Sequence, residues 1–281
     1  MTKLKTVSTL IPTFNREIYL KKAIQSCLNQ TVDHEIIVCN HGGTDGTDKM
    51  ISEFEGEIKY IKRKKDYGPH YCWLEGVMEA SGEYINLLFD DDWIEPKFIE
   101  ECMKYFDNSD VGFVFSSANI YNDSDKKIIA SGQNNFFSRS GIYNISKYES
   151  FFLKHLMSPT SFIIRKKDMI DCIFQGRLPF SEYTYKGVGP DRLMILMCML
   201  RYKNFGYVSE SLSFYRSHAD SITIDSHTDN KKKYMINKSY EDILKYYYSL
   251  KYGRYFSFFK NKYIIHLRYH FNLFLNKIIN R

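Results

Sequence analysis

The chain has 281 residues, 44% of them hydrophobic and 26% charged, the balance of an ordinary folded protein and not of a disordered or collagen-like one. That length accommodates one large core or two modest ones, so a main domain with an appendage is expected. The longest strongly apolar run, 193–200, is too short to span a bilayer, and residues 1–5 carry no signal-peptide pattern. Those readings predict a cytoplasmic protein, or one held at the cytoplasmic face of a membrane. The cysteines at 27, 39, 72, 102, 172 and 198 are scattered with no CxxC pair, which favours small buried hydrophobes over a disulfide framework or a zinc site.

Charge divides the chain unevenly. The stretch 231–281 holds 12 Lys+Arg against 2 Asp+Glu, while the remainder holds 27 against 31. A mildly acidic body with a strongly basic tail suits contact with anionic lipid better than with nucleic acid.

In chain order, the pattern predicts a strand over 7–11, closed by Pro12, and then a helix whose stripe is Leu20, Ala23, Ile24, Cys27 and Leu28. A second strand over 35–39 ends in Asn40-His41-Gly42-Gly43. Thr44 or Asp45 then caps a helix carrying Met50, Ile51 and Phe54. A strand over 58–61, a helix over 71–80 and the apolar strand YINLLF (84–89) follow, then a helix through Phe98, Ile99, Cys102, Met103 and Phe106 with Pro96 in its first turn. The second half is less regular. Strands are predicted over 111–116, 161–165 and 207–215, a buried helix over 191–202, and a polar, turn-rich stretch over 121–135. Alternating strands and helices imply right-handed crossovers and a largely parallel sheet. Ligands of such sheets bind beyond the carboxyl ends of the strands, and the polar clusters after Pro12, Cys39 and Phe89 all fall at such ends.

The sharpest chemical signal is Asp90-Asp91-Asp92-Trp93, directly after YINLLF. Three adjacent carboxylates repel one another, and a divalent cation such as Mg²⁺ or Mn²⁺ is the natural compensation. A solvated acidic turn capping the next helix is the plain alternative. Asp191, before the apolar helix, is a candidate general base for an acceptor hydroxyl or a helix N-cap. His218, in YRSHADS, reads by itself as a surface or packing residue, although imidazole is a common metal ligand. Arg216 neutralises a diphosphate or pairs with a body carboxylate. Pro12, Thr13, Asn15 and Arg16 close the first strand where a nucleotide would lie, with Asn15 equally suited to a turn.

Taken together, VSTLIPTFNREIYLKKAIQSCLNQTVDHEIIVCNHGGTDGT, GVMEASGEYINLLFDDDWIEP, YTYKGVGPDRLMI and LSFYRSHADSIT resemble, in order and spacing, the motifs of family 2 glycosyltransferases. The resemblance runs over 7–223. It implies an α/β GT-A-like (Rossmann-like) fold with a mostly parallel central sheet and a C-terminal helical extension. The division expected is a catalytic domain over 1–225, with a nucleotide half (1–92) and an acceptor half (93–225), and a basic aromatic extension over 226–281. The implied reaction is inverting transfer of a sugar from a nucleoside-diphosphate sugar, UDP-sugar expected, to a capsule, lipopolysaccharide or related glycan. It also implies Asp91 as metal ligand with His218, Asp90 toward the ribose, Asp92 supporting the metal site, Asn40 and Asp66 at the base, and Asp191 as base. Two departures stand out: Asn40-His41 replaces the usual Asp-Asp, and Phe89 falls on the first Asp of DxD. Pro190 replaces the Glu before Asp191, which leaves Glu182 as a second candidate base.

The stripe Leu267, Phe271, Phe274, Leu275 and Ile278, with Lys262, Arg268 and Lys277 among it, suits a helix in the membrane interface or one packed on the domain or a second subunit. Oligomeric state stays open. Two rival functions remain at this point: a sugar nucleotidyltransferase, which usually carries a glycine-rich basic loop this N-terminus lacks, and a membrane-associated scaffold with a degenerate site.

Overall fold

The computed structural model describes residues 6–133, 137–173, 190–218 and 230–253. β1 (Val7–Thr13) is buried along its whole length, and its uncharged run VSTLIPT suits a strand covered on both faces. β2 (Glu35–Asn40) and β4 (Tyr84–Leu87) flank it in parallel, with Leu10 opposite both Ile37 and Leu87. β3 (Lys59–Lys62) adds a parallel edge strand whose exposed terminal lysines discourage further pairing. The predicted strand over 84–89 stops at Leu87, two residues early.

Beyond β4 the sheet continues through β9 (Phe162–Arg165), β6 (Val111–Asn122) and β10 (Asn204–Ser217) to β5 (Trp93–Ile94). β9 is antiparallel to its neighbours β4 and β6, whereas β6 and β10 run parallel. β7 (Lys127–Gln133) folds back on β6, and β8 (Gly141–Asn144) pairs antiparallel with β10. The stretch read as turn-rich therefore contains a strand, and the final strand is longer than 207–215. The result is a mixed sheet with mostly parallel strands.

Helices cover both faces. α1 (Glu17–Leu28) buries Leu20, Ala23, Ile24 and Cys27, the stripe its spacing predicts. α3 (Pro69–Glu79) lies so close to β1 that a Cβ at Gly76 would stand 2.1 Å from Leu10 Cδ1. Shorter helices are α2 (Thr47–Ile51), α4 (Phe98–Met103), α5 (Ile145–Phe152) and α6 (Lys166–Ile170). α7 (Pro190–Arg201) is the predicted buried helix. Successive strand residues feed opposite faces: Leu10, Ile37 and Phe113 join α3 and α7, while Ile11, Val38 and Val114 join α1 and α4. All six cysteines are free and buried, and burial pushes the Cys27 thiol up to about 12.

α8 (Asn230–Gly253) opens the basic extension. It buries Ile243, Tyr247 and Tyr248 in the same cluster as α7, and the Tyr247 hydroxyl donates to Glu149 Oε1 at 2.8 Å. Among the described residues no helix is long and apolar enough to cross a membrane. The stripe from Leu267 to Ile278 lies outside the described residues.

Candidate active site

The site is built from loops that leave the carboxyl ends of β1, β2 and β4, as parallel sheets favour. Past Thr13 the chain turns through Asn15, whose φ of 54° is one asparagine tolerates better than most residues. Asn15 Oδ1 accepts from Thr44 N at 2.7 Å, tying the β1 loop to the β2 loop. This turn places Arg16 across the end of β4. Its Nη1 donates to Asp90 Oδ1 at 3.1 Å and to Asp91 Oδ2 at 2.8 Å.

The three aspartates have separate environments. Asp92 faces the body of the protein, accepting from Thr160 Oγ1 at 2.7 Å and from Arg216 N at 3.0 Å. Through these two bonds Asp92 ties the acidic turn to β10 and to the 159–161 turn. Asp91 meets His218 Nε2 at 3.0 Å as well as Arg16. Asp90 is 5% exposed. Burial and then the charge of Asp91 push the Asp90 carboxyl up to about 6, against the pull of Arg16. Burial, with Asp91 next, raises Asp92 well above its ordinary value. For Asp91 burial is outweighed by the hydrogen bond to His218 and the charge of Arg16, which hold it below its ordinary value. Asp91 is therefore the member of the triplet that stays firmly ionised.

β5 explains how distant residues reach this turn. Trp93 and Ile94 pair with Phe214 and Ser213 of β10, so the chain leaving the aspartates is stitched to the strand that ends at Arg216 and His218. Trp93 stacks on Phe214 with ring centroids 4.8 Å apart, and Lys22 Nζ sits 3.1 Å from the Trp93 centroid. Arg216 Nε donates to Asp91 O at 2.8 Å and its Nη1 pairs with Asp123.

Around the β2 loop, Asn40 is buried; its Oδ1 accepts from Gly43 N at 2.8 Å and its Nδ2 donates to Tyr60 Oη at 2.9 Å. His41 stacks on Phe14, with centroids 5.1 Å apart, and its Nδ1 lies 3.0 Å from Asp66 Oδ1. Gly42 makes that approach feasible: its φ is 97°, and a Cβ there would stand 2.7 Å from Asp66 N. Pro12 and Thr13 lie opposite Cys39 and Asn40 at the base of these loops. The neighbouring Arg63, Lys64, Lys65, Tyr67 and Tyr71 line an open hollow.

Asp191 stands in the first turn of α7, its Oδ1 accepting from Arg192 N at 2.8 Å. Glu182 lies outside the described residues. Sequence reasoning missed Phe14, His41, Asp123 and Thr160. His41 occupied a position already marked as a departure and could have been matched with Asp66; the hydroxyl of Thr160, seventy residues from the triplet, carried no signal.

A carboxylate and an imidazole facing one another at 3.0 Å suit Mg²⁺ or Mn²⁺, which commonly takes one or two protein donors and completes its shell with phosphate and water. The fit is to an ion carried with a nucleotide; among the described residues no group of three or more His, Cys, Asp or Glu forms a cage.

A mostly parallel sheet sandwiched by helices, with an acidic turn held at its strand ends, defines a GT-A-like fold. Comparison with known proteins places the chain further. The model of glycosyl transferase family 2 matches residues 8–174, and the chain belongs to that family. It is 26% identical over 246 residues to the GalNAc(5)-diNAcBac-PP-undecaprenol beta-1,3-glucosyltransferase of Campylobacter jejuni, covering 85% of this chain and 73% of that protein. It is 34% identical over 131 residues to the chondroitin synthase of Pasteurella multocida, which covers 46% of this chain but 14% of the synthase. The chain thus spans a small part of that larger relative. In fold it resembles S. aureus TarS 1–349 in complex with UDP-GlcNAc, with a TM-score of 0.62 at 16% identity, covering 92% of this chain and 76% of that one.

Proposed function

We propose that this protein transfers a sugar from a UDP-sugar to a growing cell-surface glycan, with inversion at the anomeric carbon. The observation that carries the reading is the meeting of Arg16, Asp91 and His218 beyond the ends of the parallel strands. A guanidinium and an imidazole at a nucleotide-type crevice can bind a diphosphate leaving group, and an ionised carboxylate beside them would face it through a divalent cation. The TarS neighbour, solved with UDP-GlcNAc, supports UDP as the nucleotide. The C. jejuni relative, named for a PP-undecaprenol-linked substrate, supports a lipid-linked acceptor.

In this reading the base lies over Phe14 and near His41 and Asp66. Asp91 and His218 are the residues that would hold Mg²⁺ or Mn²⁺, which would supply positive charge to offset the departing diphosphate. Arg16 adds a fixed positive charge beside it. Asp191 accepts the proton of the acceptor hydroxyl as its oxygen bonds to the anomeric carbon, and the bond to UDP breaks with its electron pair leaving on the diphosphate. Asp90 and Asp92 keep the turn in place. The catalytic domain over 1–225 has α8 of the basic extension packed on it, and the extension over 226–281 brings the enzyme to anionic lipid at the cytoplasmic face of the membrane.

Calorimetric titration of UDP, GDP and dTDP, with and without Mn²⁺, tests the site. UDP is expected to bind best, with an Mn²⁺-dependent gain of about tenfold or more that Asp91→Ala removes. Binding indifferent both to the metal and to Asp91→Ala would sink the assignment. Release of UDP, and not of pyrophosphate, from a UDP-sugar separates glycosyl from nucleotidyl transfer.

A further inference from the structure

We propose that Tyr19, in the first turn of α1, is a positioning residue for His218, its ring fixing the plane in which that imidazole confronts Asp91. The inference rests on the reading of His218 as a metal ligand and supplies the partner that orients it.

A histidine that binds metal through one ring nitrogen is normally oriented by a hydrogen bond from the other. His218 lacks that tie. Its Nε2 lies 3.0 Å from Asp91 Oδ2, and its buried Nδ1 has no hydrogen-bond partner among the described residues. The imidazole is packed on a ring instead: its centroid lies 4.6 Å from that of Tyr19, with the two planes 42° apart, inside the contact range of an aromatic pair. The same ring carries the Arg216 guanidinium 4.9 Å from its centroid, a cation–π distance. Arg216 in turn donates from Nε to Asp91 O. One phenol ring therefore touches both residues that the end of β10 brings to the acidic turn.

Tyr19 is itself firmly placed. Arg16 O accepts from Tyr19 N at 3.0 Å and from Leu20 N at 3.1 Å, and Glu17 N donates to Asp45 Oδ2 at 3.0 Å. Leu20, next in the chain, is fully buried. Arg16 heads the turn in which Tyr19 lies, and it reaches Asp91 while Tyr19 reaches His218. The start of α1 thus grips both members of the carboxylate–imidazole pair. A tyrosine that served only the core would join the stripe of Leu20, Ala23, Ile24 and Cys27. Tyr19 is half-buried and stands outside both apolar clusters.

The test is calorimetric titration of UDP, with and without Mn²⁺, into Tyr19→Leu, Tyr19→Phe, His218→Ala and the Tyr19→Leu/His218→Ala pair. Leucine keeps apolar bulk and helix propensity but offers no ring. It is expected to shrink the Mn²⁺-dependent gain in UDP affinity about fivefold, the scale of one aromatic pair, with metal-free UDP affinity unchanged. Tyr19→Phe is expected to keep the gain within about twofold of wild type, because the ring and not the hydroxyl meets His218. In the His218→Ala background Tyr19→Leu should cost nothing further, since it acts through that imidazole. Retained metal-free affinity certifies that each variant is folded. A full gain in Tyr19→Leu, a loss equal with and without Mn²⁺, a loss as large in Tyr19→Phe, or losses that multiply in the pair would overturn the inference while His218 stands. An undiminished gain in His218→Ala would instead remove the ligand reading itself, and this inference with it.

Discussion

Asp90→Asn should stabilise the protein in the absence of divalent metal, although it deletes an ion-pair partner of Arg16. The wild-type carboxyl is nearly inaccessible, and its pKa stands at about 6 where an ordinary Asp has 3.8. An acid whose folded pKa is raised binds more protons folded than unfolded between those two values, so its stability contribution falls as pH rises through that window. Integrating over the window gives a cost of about 3 kcal/mol at pH 7 and only about 0.5 kcal/mol at pH 4. Asparagine has nearly the same shape and never ionises, and Arg16 keeps Asp91 as a partner. Urea unfolding at pH 7 should therefore put Asp90→Asn about 3 kcal/mol above wild type, a rise of about 5 °C or more in Tm for a domain of this size. The gap should close to within error at pH 4. Mn²⁺ with UDP should narrow it at pH 7 by stabilising the wild type more. A variant no more stable than wild type at pH 7, or a gap independent of pH, would refute the claim that the triplet is held under electrostatic strain.

Two further substitutions probe how the turn and the base loop are held. Thr160→Val removes the donor to Asp92 Oδ2 and the acceptor for Phe89 N, and should cost about 1–3 kcal/mol in urea unfolding. The same variant should weaken Mn²⁺-dependent UDP binding, because the acidic turn loses one of its ties. Gly42→Ala places a Cβ 2.7 Å from Asp66 N at a φ of 97°, and should cost about 1–3 kcal/mol. Its effect on UDP affinity should exceed its effect on Mn²⁺ dependence, since it disturbs the contact between the His41 loop and the loop after β3 that carries Asp66, not Asp91.

The strands that build the site's floor were legible because they are buried on both faces and so read as uncharged or apolar runs between turn residues: β1, β2 and β4 lie close to their predicted spans. Elements that exist only by pairing were not. β5 is two residues, Trp93 and Ile94, and is a strand solely because β10 runs beside it. β7 bears exposed Ile128 and Ile129 on a lysine-flanked hairpin arm, a pattern that sequence periodicity assigns to a polar loop. Among the site residues, the presence of Asp90, Asp91 and Asp92 was plain, but not their division of labour. That depends on which oxygens Thr160 and the Arg216 amide claim, and those donors come from segments 68 and 124 residues away. Asn40 illustrates the same limit. Its amide could read a base edge on paper, and Gly43 and Tyr60 use both ends of it in the fold.

The electrostatics of the triplet also explain why so much of the second half of the chain is needed for a site that the first half displays. Three carboxylates in one turn cannot all stay charged at this depth, and each is resolved by a different route. Burial raises the Asp92 carboxyl above its ordinary value, and it is given two donors, from the 159–161 turn and from β10. Asp90 is pushed toward protonation with Arg16 as its counter-charge. Asp91 alone is held below its ordinary value, by His218 from the end of β10 and by Arg16 from the β1 loop. Remove β10 and two of the three solutions vanish together: Asp92 loses the Arg216 amide and Asp91 loses the imidazole. The first strands can form a crevice at their carboxyl ends, but the acidic turn at its edge is held in place only once β10 has docked through β5.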